Sequence, residues 1–188
     1  MEVFVLEERG YEHALRGMSY SYYDNSGNLC DWWSAQYPKA VKRAALLAHK
    51  GGGHNGFLES IFVWVDINAP RNWWSQMDRY RIGKTQQSTS TMHTLSKRGP
   101  VPSDFEDGID PQVFDGFCAS WERNKHDINK LKDNLPESFM QRRMVVMNYM
   151  TLQNIVRQRG THRLKGWETF IKEILDQVQH PEFLVCPT

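Results

Sequence analysis

The sequence has few of the features that mark secreted, membrane-bound or disulfide-stabilised proteins. It has three cysteines, Cys30, Cys118 and Cys186, and this odd number at wide spacing indicates neither a disulfide framework nor a zinc site. The longest apolar runs, such as Ile61–Val65, are far shorter than the roughly 20 residues of a membrane helix. No basic segment followed by an apolar stretch opens the chain, so no secretory signal is expected. These absences predict a cytoplasmic protein without membrane contacts.

The chain also lacks an excess of either charge. Lys and Arg number 23 against 22 Asp and Glu, which leaves a net charge of +1 and no global attraction for nucleic acid. Hydrophobic residues make up 40% of the 188 residues and charged residues 24%, as in ordinary globular proteins. No internal repeat or low-complexity segment is present. We therefore expect one domain over residues 1–188 and no nucleic-acid partner.

The common signatures of nucleophilic and phosphate-binding enzymes are missing as well. There is no Gly-x-Ser-x-Gly elbow, Walker loop or Gly-x-Gly-x-x-Gly turn after a strand. Gly51–Gly53 follows a predicted helix and precedes a predicted strand, so it is interpreted as a helix cap. His54 has no second His or Cys at ligand spacing, and we expect no metal site. Catalysis by a protein nucleophile has little support.

Periodicity predicts an α+β protein with a small mixed or antiparallel sheet and helices dominating late in the chain. The predicted elements are strands at Met1–Leu6 and Ile61–Ile67, a helix from Pro38 to the glycines, a helix through Trp73, Trp74 and Met77, a polar loop at Gly83–Gly99, a helix from Pro111 to about Leu131, a second long helix from Pro136 to about Arg157, and a last helix over Leu164–Val178.

Arginine and lysine are concentrated in two segments. Ser138–Trp167 has six positive side chains and no acid, and in Ala69–Ser103 the only acid is Asp78. If the two segments meet in space, they form a pocket for phosphates or other small anions. Alternatively, their arginines lie on solvated faces and pair with acids elsewhere. Seven Trp, seven Tyr and nine Phe supply planar surface for a core, an interface or a flat ligand.

The segment His54–Thr91 resembles the core of the flavin-dependent thymidylate synthases. That family carries a His, a Glu five residues later, a strand, and a Gln three residues before an Arg-His-Arg triplet. Here His54, Glu59 and Gln76 match, and Arg79-Tyr80-Arg81 stands for the triplet. Thr89 occupies the position of a family Ser, and Ser19 or Ser21 resembles an early flavin-phosphate contact.

The C-terminal half resembles the same family independently. The family has Leu-Pro, an Asn twelve residues later, another Asn after six more, and an Arg after a further five. Leu135-Pro136, Asn148, Asn154 and Arg159 reproduce this spacing. The resemblance covers nearly the whole chain, with a shortened middle around residues 99–115, and it implies the fold of the thymidylate synthase-complementing proteins.

The resemblance implies an enzyme that converts dUMP to dTMP in nucleotide biosynthesis. It would use FAD, take a methylene group from methylenetetrahydrofolate and take reducing equivalents from NADPH. Family members form homotetramers whose sites are assembled from several subunits. Reduced flavin supplies the electrons, so the protein contributes positioning and electrostatics.

The resemblance also implies a role for each matching residue. The FAD contacts would be His54, Glu59, Arg79, Tyr80, Arg81, Asn148 and Asn154. The nucleotide contacts would be Gln76, Lys84, Gln87, Thr89, Lys132 and Arg159. Arg79 and Arg159 would be the catalytic residues, with Arg159 stabilising negative charge on the pyrimidine.

The departures from the family pattern are concentrated around the nucleotide. Tyr80 replaces the central His of the triplet, and Thr91 replaces a phosphate-binding Arg. The second replacement should cost about 1–3 kcal/mol of phosphate-binding free energy if nothing compensates. Further replacements are Lys84, Gln86, Gln87, Lys132 and Met150. Two alternatives therefore stay open: a same-fold enzyme that modifies C5 of another pyrimidine nucleotide such as dCMP or UMP by methyl or hydroxymethyl transfer, and a non-catalytic nucleotide- or flavin-binding paralogue.

Overall fold

The computed structural model describes residues 1–21 and 35–186, and this part of the chain is built around a four-stranded antiparallel sheet. The strands are β1 (Glu2–Arg9), β2 (Phe62–Pro70), β3 (Lys84–Ser88) and β4 (Met140–Asn148). Their order in the sheet is β1-β2-β4-β3, and each neighbouring pair runs antiparallel. The prediction of an α+β fold with a small antiparallel sheet is confirmed.

Eight α-helices accompany the sheet within the described residues. They are α1 (Tyr11–Ser19), α2 (Tyr37–Leu47), α3 (Arg71–Met77), α4 (Thr91–Lys97), α5 (Pro111–Asn124), α6 (Ile128–Asp133), α7 (Tyr149–Arg159) and α8 (Lys165–Gln177). Short 3-10 turns lie at Gly56–Ser60, Pro102–Asp104 and Pro181–Phe183. None of the helices described here is long and apolar enough to cross a membrane.

The sheet has one buried face and one open face. Alternation along β2 places Val63, Val65 and Ile67 in the core, where all three are fully buried. The opposite face carries exposed aromatic side chains, with Phe4 47% and Phe62 39% accessible. The helices therefore cover the sheet mainly from one side.

Large aromatic side chains fill the core between the sheet and helices α3 and α8. Trp73, Trp74, Trp167 and Phe170 are all almost completely buried. The ring centroids of Trp73 and Trp167 are 4.7 Å apart, and those of Trp73 and Trp74 are 4.9 Å apart in an edge-on arrangement. These contacts fix α3 against α8, and both helices contribute residues to the site described below.

A second, smaller apolar cluster lies under helices α4, α5 and α6. Its buried members are Leu95, Phe105, Phe117, Leu135 and Phe139. Phe105 packs edge-on against Phe117 and Phe139, with centroid distances of 6.0 and 5.5 Å. This cluster organises the segment between β3 and β4.

Two segments were assigned wrongly from the sequence. Residues predicted as the polar loop Gly83–Gly99 form β3 and α4, and the first half of the predicted helix after Pro136 forms β4. Strand β3 is polar because it pairs only with β4 at the sheet edge, so its sequence KTQQS carries no hydrophobic alternation. In β4, Met144–Met147 is a continuous apolar run, which by periodicity alone looks the same in a strand as in a helix.

Other predicted elements are confirmed with shifted ends. Strands β1 and β2, helices α2 and α3 and the last helix α8 occur where the sequence places them. The helix predicted from Pro111 is two helices, because the chain turns at Lys125–Asp127 and the Asp127 side chain accepts the backbone N–H of Lys130 to begin α6. Cys30 lies outside the described residues.

Candidate functional site

A cleft of about 770 Å³ opens where the last residues of β4, the start of α7 and the Arg79–Ile82 segment meet. We call it the main cleft. Its lining residues are Glu59, Arg79, Tyr80, Arg81, Ile82, Asn148, Met150, Thr151, Asn154, Gln158 and Arg159. The volume is within the usual range for small-molecule and cofactor sites. Both basic segments of the sequence contribute to it.

Asn148 and Gly83 hold the two halves of the main cleft together. Asn148 ends β4 and caps α7, because its side-chain oxygen accepts the backbone N–H of Thr151 at 2.9 Å. Its own N–H donates to the Gly83 carbonyl at 2.8 Å. Gly83 has a φ of +66°, and a Cβ there would lie 2.6 Å from the side chains of Asn148 and Thr151. Only glycine allows this close approach without displacing them.

Helix α7 presents a polar edge to the main cleft. Thr151, Asn154 and Gln158 follow one another at spacings of three and four residues, so they lie along one face of the helix. The Thr151 hydroxyl donates to the Ile82 carbonyl at 2.7 Å, which fixes the triplet segment against the helix. The Asn154 side-chain oxygen accepts a hydrogen bond from Arg157 at 3.0 Å.

Arg159, the last residue of α7, is surrounded by aromatic rings and hydrogen-bond acceptors. Its guanidinium carbon lies 4.9 Å from the ring centroid of Trp167 and 5.6 Å from that of Tyr80. Its Nε donates to the Tyr80 hydroxyl at 2.9 Å. Gln76 completes the group, since its side-chain oxygen accepts from Arg159 Nη1 at 3.4 Å and from Trp167 Nε1 at 3.0 Å.

The charge of the main cleft is predominantly positive. Within the described residues, Arg79, Arg81 and Arg159 have no carboxylate at ion-pair distance, and Glu59 is the cleft's single acidic side chain. Arg79 and Arg81 are both exposed. Guanidinium groups without partners favour anionic ligands and accept them in planar, two-point hydrogen bonds. The arrangement therefore suits a ligand that carries negative charge and a flat ring.

A second pocket of about 330 Å³ includes Asp78, the residue directly before the triplet, and we call it the Asp78 pocket. It is lined by Arg71, Ser75, Asp78, Thr91, Lys132, Leu135, Glu137, Gln141 and Arg143. Here the arginines are neutralised: Arg143 Nη1 lies 3.0 Å from Asp78, and Arg71 lies 3.6 Å from Glu137. The guanidinium of Arg143 also stacks 4.2 Å from the ring centroid of Trp74.

Lys84 lies next to Asp78 and is almost completely buried, with 5% of its side chain exposed. Its ammonium group donates to the Met77 carbonyl at 3.1 Å and lies 3.7 Å from Asp78. Burial lowers the pKa of Lys84 below its ordinary value, although the charge of Asp78 opposes this. Burial also opposes ionisation of Asp78, but the hydrogen bond from Gln86 and the charge of Arg143 lower its pKa overall.

The structure brings together only some of the residues implied by the resemblance. Six of the seven expected FAD contacts line the main cleft, and Arg159 and Gln76 adjoin them. The exception is His54, which lines a separate cavity of about 460 Å³ with His13 and Ser21. Ser19 is buried, and its hydroxyl donates to the Leu15 carbonyl at 2.7 Å.

The remaining expected nucleotide contacts lie away from the main cleft. Lys132 lines the Asp78 pocket, and Thr89 lines a cavity of about 210 Å³ beside Thr91 and Arg142. Gln87 is exposed on β3, and Lys84 points into the network around Asp78. Within one chain, the residues expected to contact the nucleotide therefore do not converge.

Gln158, Thr151 and Ile82 line the main cleft but were not predicted from the sequence. Gln158 follows Asn154 by four residues, a helical spacing that would have indicated it once the start of α7 was known. Within the described residues, no three His, Cys, Asp or Glu side chains are grouped so that they could hold a metal ion.

Comparison with known proteins supports the fold. No protein-family model matches the chain, and no curated protein matches it. The chain is similar in structure to flavin-dependent thymidylate synthases. One such structure is thymidylate synthase X (ThyX) from Helicobacter pylori with FAD and dUMP, at a TM-score of 0.73, 17% identity, and coverage of 98% of this chain and 97% of that chain. A second structure of the same Helicobacter pylori enzyme, complexed with FAD and dUMP, gives the same values. At this identity the likeness shows a shared fold.

Proposed function

We propose that this chain is an FAD-dependent enzyme that methylates dUMP to dTMP, using methylenetetrahydrofolate and NADPH. One observation carries the proposal: residues from Glu59 to Arg159, far apart in sequence, line a single positive cleft in a fold shared with enzymes solved with FAD and dUMP. The functional class rests on this site, because a fold alone does not define an activity.

The side chains of the main cleft fit the chemistry of a dinucleotide flavin. Arg79 and Arg81 offer unpaired guanidinium groups to the phosphates, and the amide of Asn154 offers a neutral donor to ring carbonyls. The carboxylate of Glu59 can accept hydrogen bonds from ribose hydroxyl groups. When bound, the flavin would supply the reducing equivalents that convert the transferred methylene to a methyl group.

The protein's own contribution is to bind, orient and stabilise charge. Arg159, held at the edge of the main cleft, would donate hydrogen bonds to the pyrimidine and stabilise negative charge as its C5 carbon attacks the methylene. Arg79 would orient the anionic ligands relative to one another. Neither role needs a protein nucleophile.

We also propose that the working enzyme is a homotetramer whose nucleotide site is completed by another copy of the chain. Thr89 and Lys132 lie outside the main cleft, so a second chain must bring such residues to it if they bind the nucleotide. The open face of the sheet, with exposed Phe4 and Phe62, supplies apolar surface for self-association.

Turnover of purified protein tests the proposed reaction. dTMP, detected by mass spectrometry, should form when FAD, dUMP, methylenetetrahydrofolate and NADPH are all present. Omission of any one component should abolish it. Arg159→Ala should reduce the rate strongly, whereas Arg123→Ala in the exposed last turn of α5 should not. A protein that binds no FAD and makes no dTMP in the complete mixture contradicts the proposal.

A second candidate is a same-fold enzyme acting on another pyrimidine nucleotide. Thr91 stands where the family has a phosphate-binding Arg, and Lys84 cannot replace that charge because it is buried against Asp78. Calorimetric titration with dUMP, dCMP and UMP separates the two. Tighter binding of dCMP or UMP than of dUMP would favour the second candidate. Flavin chemistry that no nucleotide or folate affects would favour a non-catalytic paralogue.

A further inference from the structure

The guanidinium of Arg159 is restrained on three sides before any ligand arrives. Nε is bonded to the Tyr80 hydroxyl at 2.9 Å, Nη1 approaches the Gln76 oxygen at 3.4 Å, and the plane lies 4.9 Å from the Trp167 ring centroid. Within the described residues, Nη2 makes no hydrogen bond. Two of the five guanidinium N–H groups therefore donate within the described residues, and both N–H groups of Nη2 remain available to a ligand in the main cleft.

Tyr80 fixes the position of Arg159 through a hydroxyl that both accepts and donates. It accepts from Arg159 Nε and donates to the side-chain oxygen of Gln158 at 3.1 Å. The two partners are consecutive residues in the last turn of α7. A phenol can make both bonds at once while it is uncharged, and an imidazole loses its only acceptor when it is protonated.

We propose that Tyr80 is a positioning residue, which orders the Arg159 guanidinium so that Nη2 points at an acceptor oxygen of the pyrimidine nucleotide. This role rests on the proposed function. A free arginine side chain loses considerable rotamer freedom when it binds a ligand, and ordering it beforehand reduces that loss. Tyr80 would thus strengthen nucleotide binding without contacting the nucleotide.

A histidine at position 80 would place a titratable imidazole where the phenol now bonds to Arg159. The other charged or titratable groups near this pair are Glu59, Arg79 and Arg81 in the main cleft and His162, whose ring centroid is 6.4 Å from that of Trp167. All four are unchanged in Tyr80 variants, so a new pH dependence in Tyr80→His reports on position 80.

The first test needs no ligand. In protein labelled with nitrogen-15 arginine, the Nε–H proton of Arg159, assigned by its loss in Arg159→Lys, should exchange slowly with water. Tyr80→Phe should speed this exchange at least fivefold, whereas Tyr20→Phe at the exposed end of α1 should leave it unchanged. Equal exchange rates in Tyr80→Phe and the unaltered protein would overturn the inference.

The second test measures dUMP affinity of the FAD-loaded protein by calorimetry. Tyr80→Phe should weaken dUMP about 3- to 10-fold. Tyr80→His should bind nearly as well as the unaltered protein at pH 8 and several-fold more weakly at pH 5.5. Unchanged dUMP affinity in Tyr80→Phe, despite faster Nε–H exchange, would overturn the positioning role. If the unaltered protein binds neither FAD nor dUMP, the proposed function fails, and the exchange measurement still shows whether Tyr80 orders Arg159.

Discussion

The main cleft and the Asp78 pocket both include residues of one short segment, Asp78–Lys84, yet their arginines differ in ion pairing. In the main cleft, Arg79, Arg81 and Arg159 face a single carboxylate and make no ion pair within the described residues. In the Asp78 pocket, Arg143 is paired with Asp78. An arginine-rich sequence therefore does not by itself locate an anion site. The acids that fold next to each arginine decide which guanidinium groups stay available.

The largest effect is expected from Trp167→Ala. Trp167 is completely buried, so its truncation should cost about 3–5 kcal/mol of unfolding free energy and remove the ring under Arg159. Urea unfolding measures the cost. Trp121→Ala, a partly exposed tryptophan near the smaller core, is the matched control and should cost clearly less. Equal losses of unfolding free energy would show that Trp167 contributes no more to stability than a partly exposed tryptophan outside the main cleft.

Arg159→Ala tests whether the main cleft binds the nucleotide. Loss of charge-assisted hydrogen bonds worth about 1.5–3 kcal/mol corresponds to dUMP binding about 10- to 100-fold weaker. Calorimetry with FAD-loaded protein measures this. Arg123→Ala, which removes an exposed arginine from the last turn of α5, should change dUMP affinity less than threefold. Similar losses in both variants would mean that general positive charge, and not the main cleft, binds the nucleotide.

Asp78→Ala tests whether this carboxylate neutralises the cations beside it in the Asp78 pocket. Without Asp78, Arg143 and the buried Lys84 lose their counter-charge, and we expect a loss of about 2 kcal/mol of unfolding free energy, reduced because Asp78 itself is partly exposed. The variant should also bind inorganic phosphate more tightly than the unaltered protein. A phosphate titration that shows no gain would indicate that pairing with Asp78 is not what keeps Arg143 from binding anions.

The pH dependence of the unfolding free energy also tests the contribution of ionised Asp78. The pKa of Asp78 is lower in the folded chain than in the unfolded chain, so its ionised form adds stability above the ordinary aspartate pKa of about 3.9, and this contribution is lost as pH falls further. Asp78→Asn should therefore be less stable than the unaltered protein at pH 6, and the difference should shrink towards pH 3. A constant difference in urea unfolding would contradict this origin.

The smallest effect belongs to the exposed ion pair on the open face of the sheet. Arg142 Nε lies 2.9 Å from Asp66, and about half of the arginine side chain is exposed. Arg142→Ala should change the unfolding free energy by less than about 1 kcal/mol, since solvent screens such pairs. A larger loss would place this pair among the buried interactions, with Arg143 and Asp78.

The sequence predicted the parts of the fold that carry strong periodicity. Strand β2 and helix α8 have clear apolar patterns, and both are where the sequence places them. Strand β3 has no apolar residue, because it is an edge strand with both faces polar, and its pairing with β4 depends on distant residues. Strand β4 runs directly into α7 at Asn148, so no loop or breaker separates the two periodicities in the sequence.

The family resemblance groups some residues that the structure also brings together, although the secondary structure around them was predicted wrongly. The triplet, Asn148, Asn154 and Arg159 were implied by the family resemblance, and the structure gathers them in one cleft, although Asn148 had been placed inside a helix. The roles of these residues stay predictions. The sequence could not show that Asp78 neutralises Arg143 and Lys84, because β3, β4 and the end of α3 meet only in the folded chain.

Titration of purified, flavin-free protein with FAD tests the central claim most directly. The account predicts saturable uptake, a flavin absorption spectrum that shifts on addition of dUMP, and affinity that falls as salt rises because unpaired arginines bind the phosphates. Arg79→Ala and Arg81→Ala combined should abolish uptake. Absence of FAD binding in the unaltered protein, or uptake that is indifferent to both arginines, would contradict the claim that the main cleft is a flavin site.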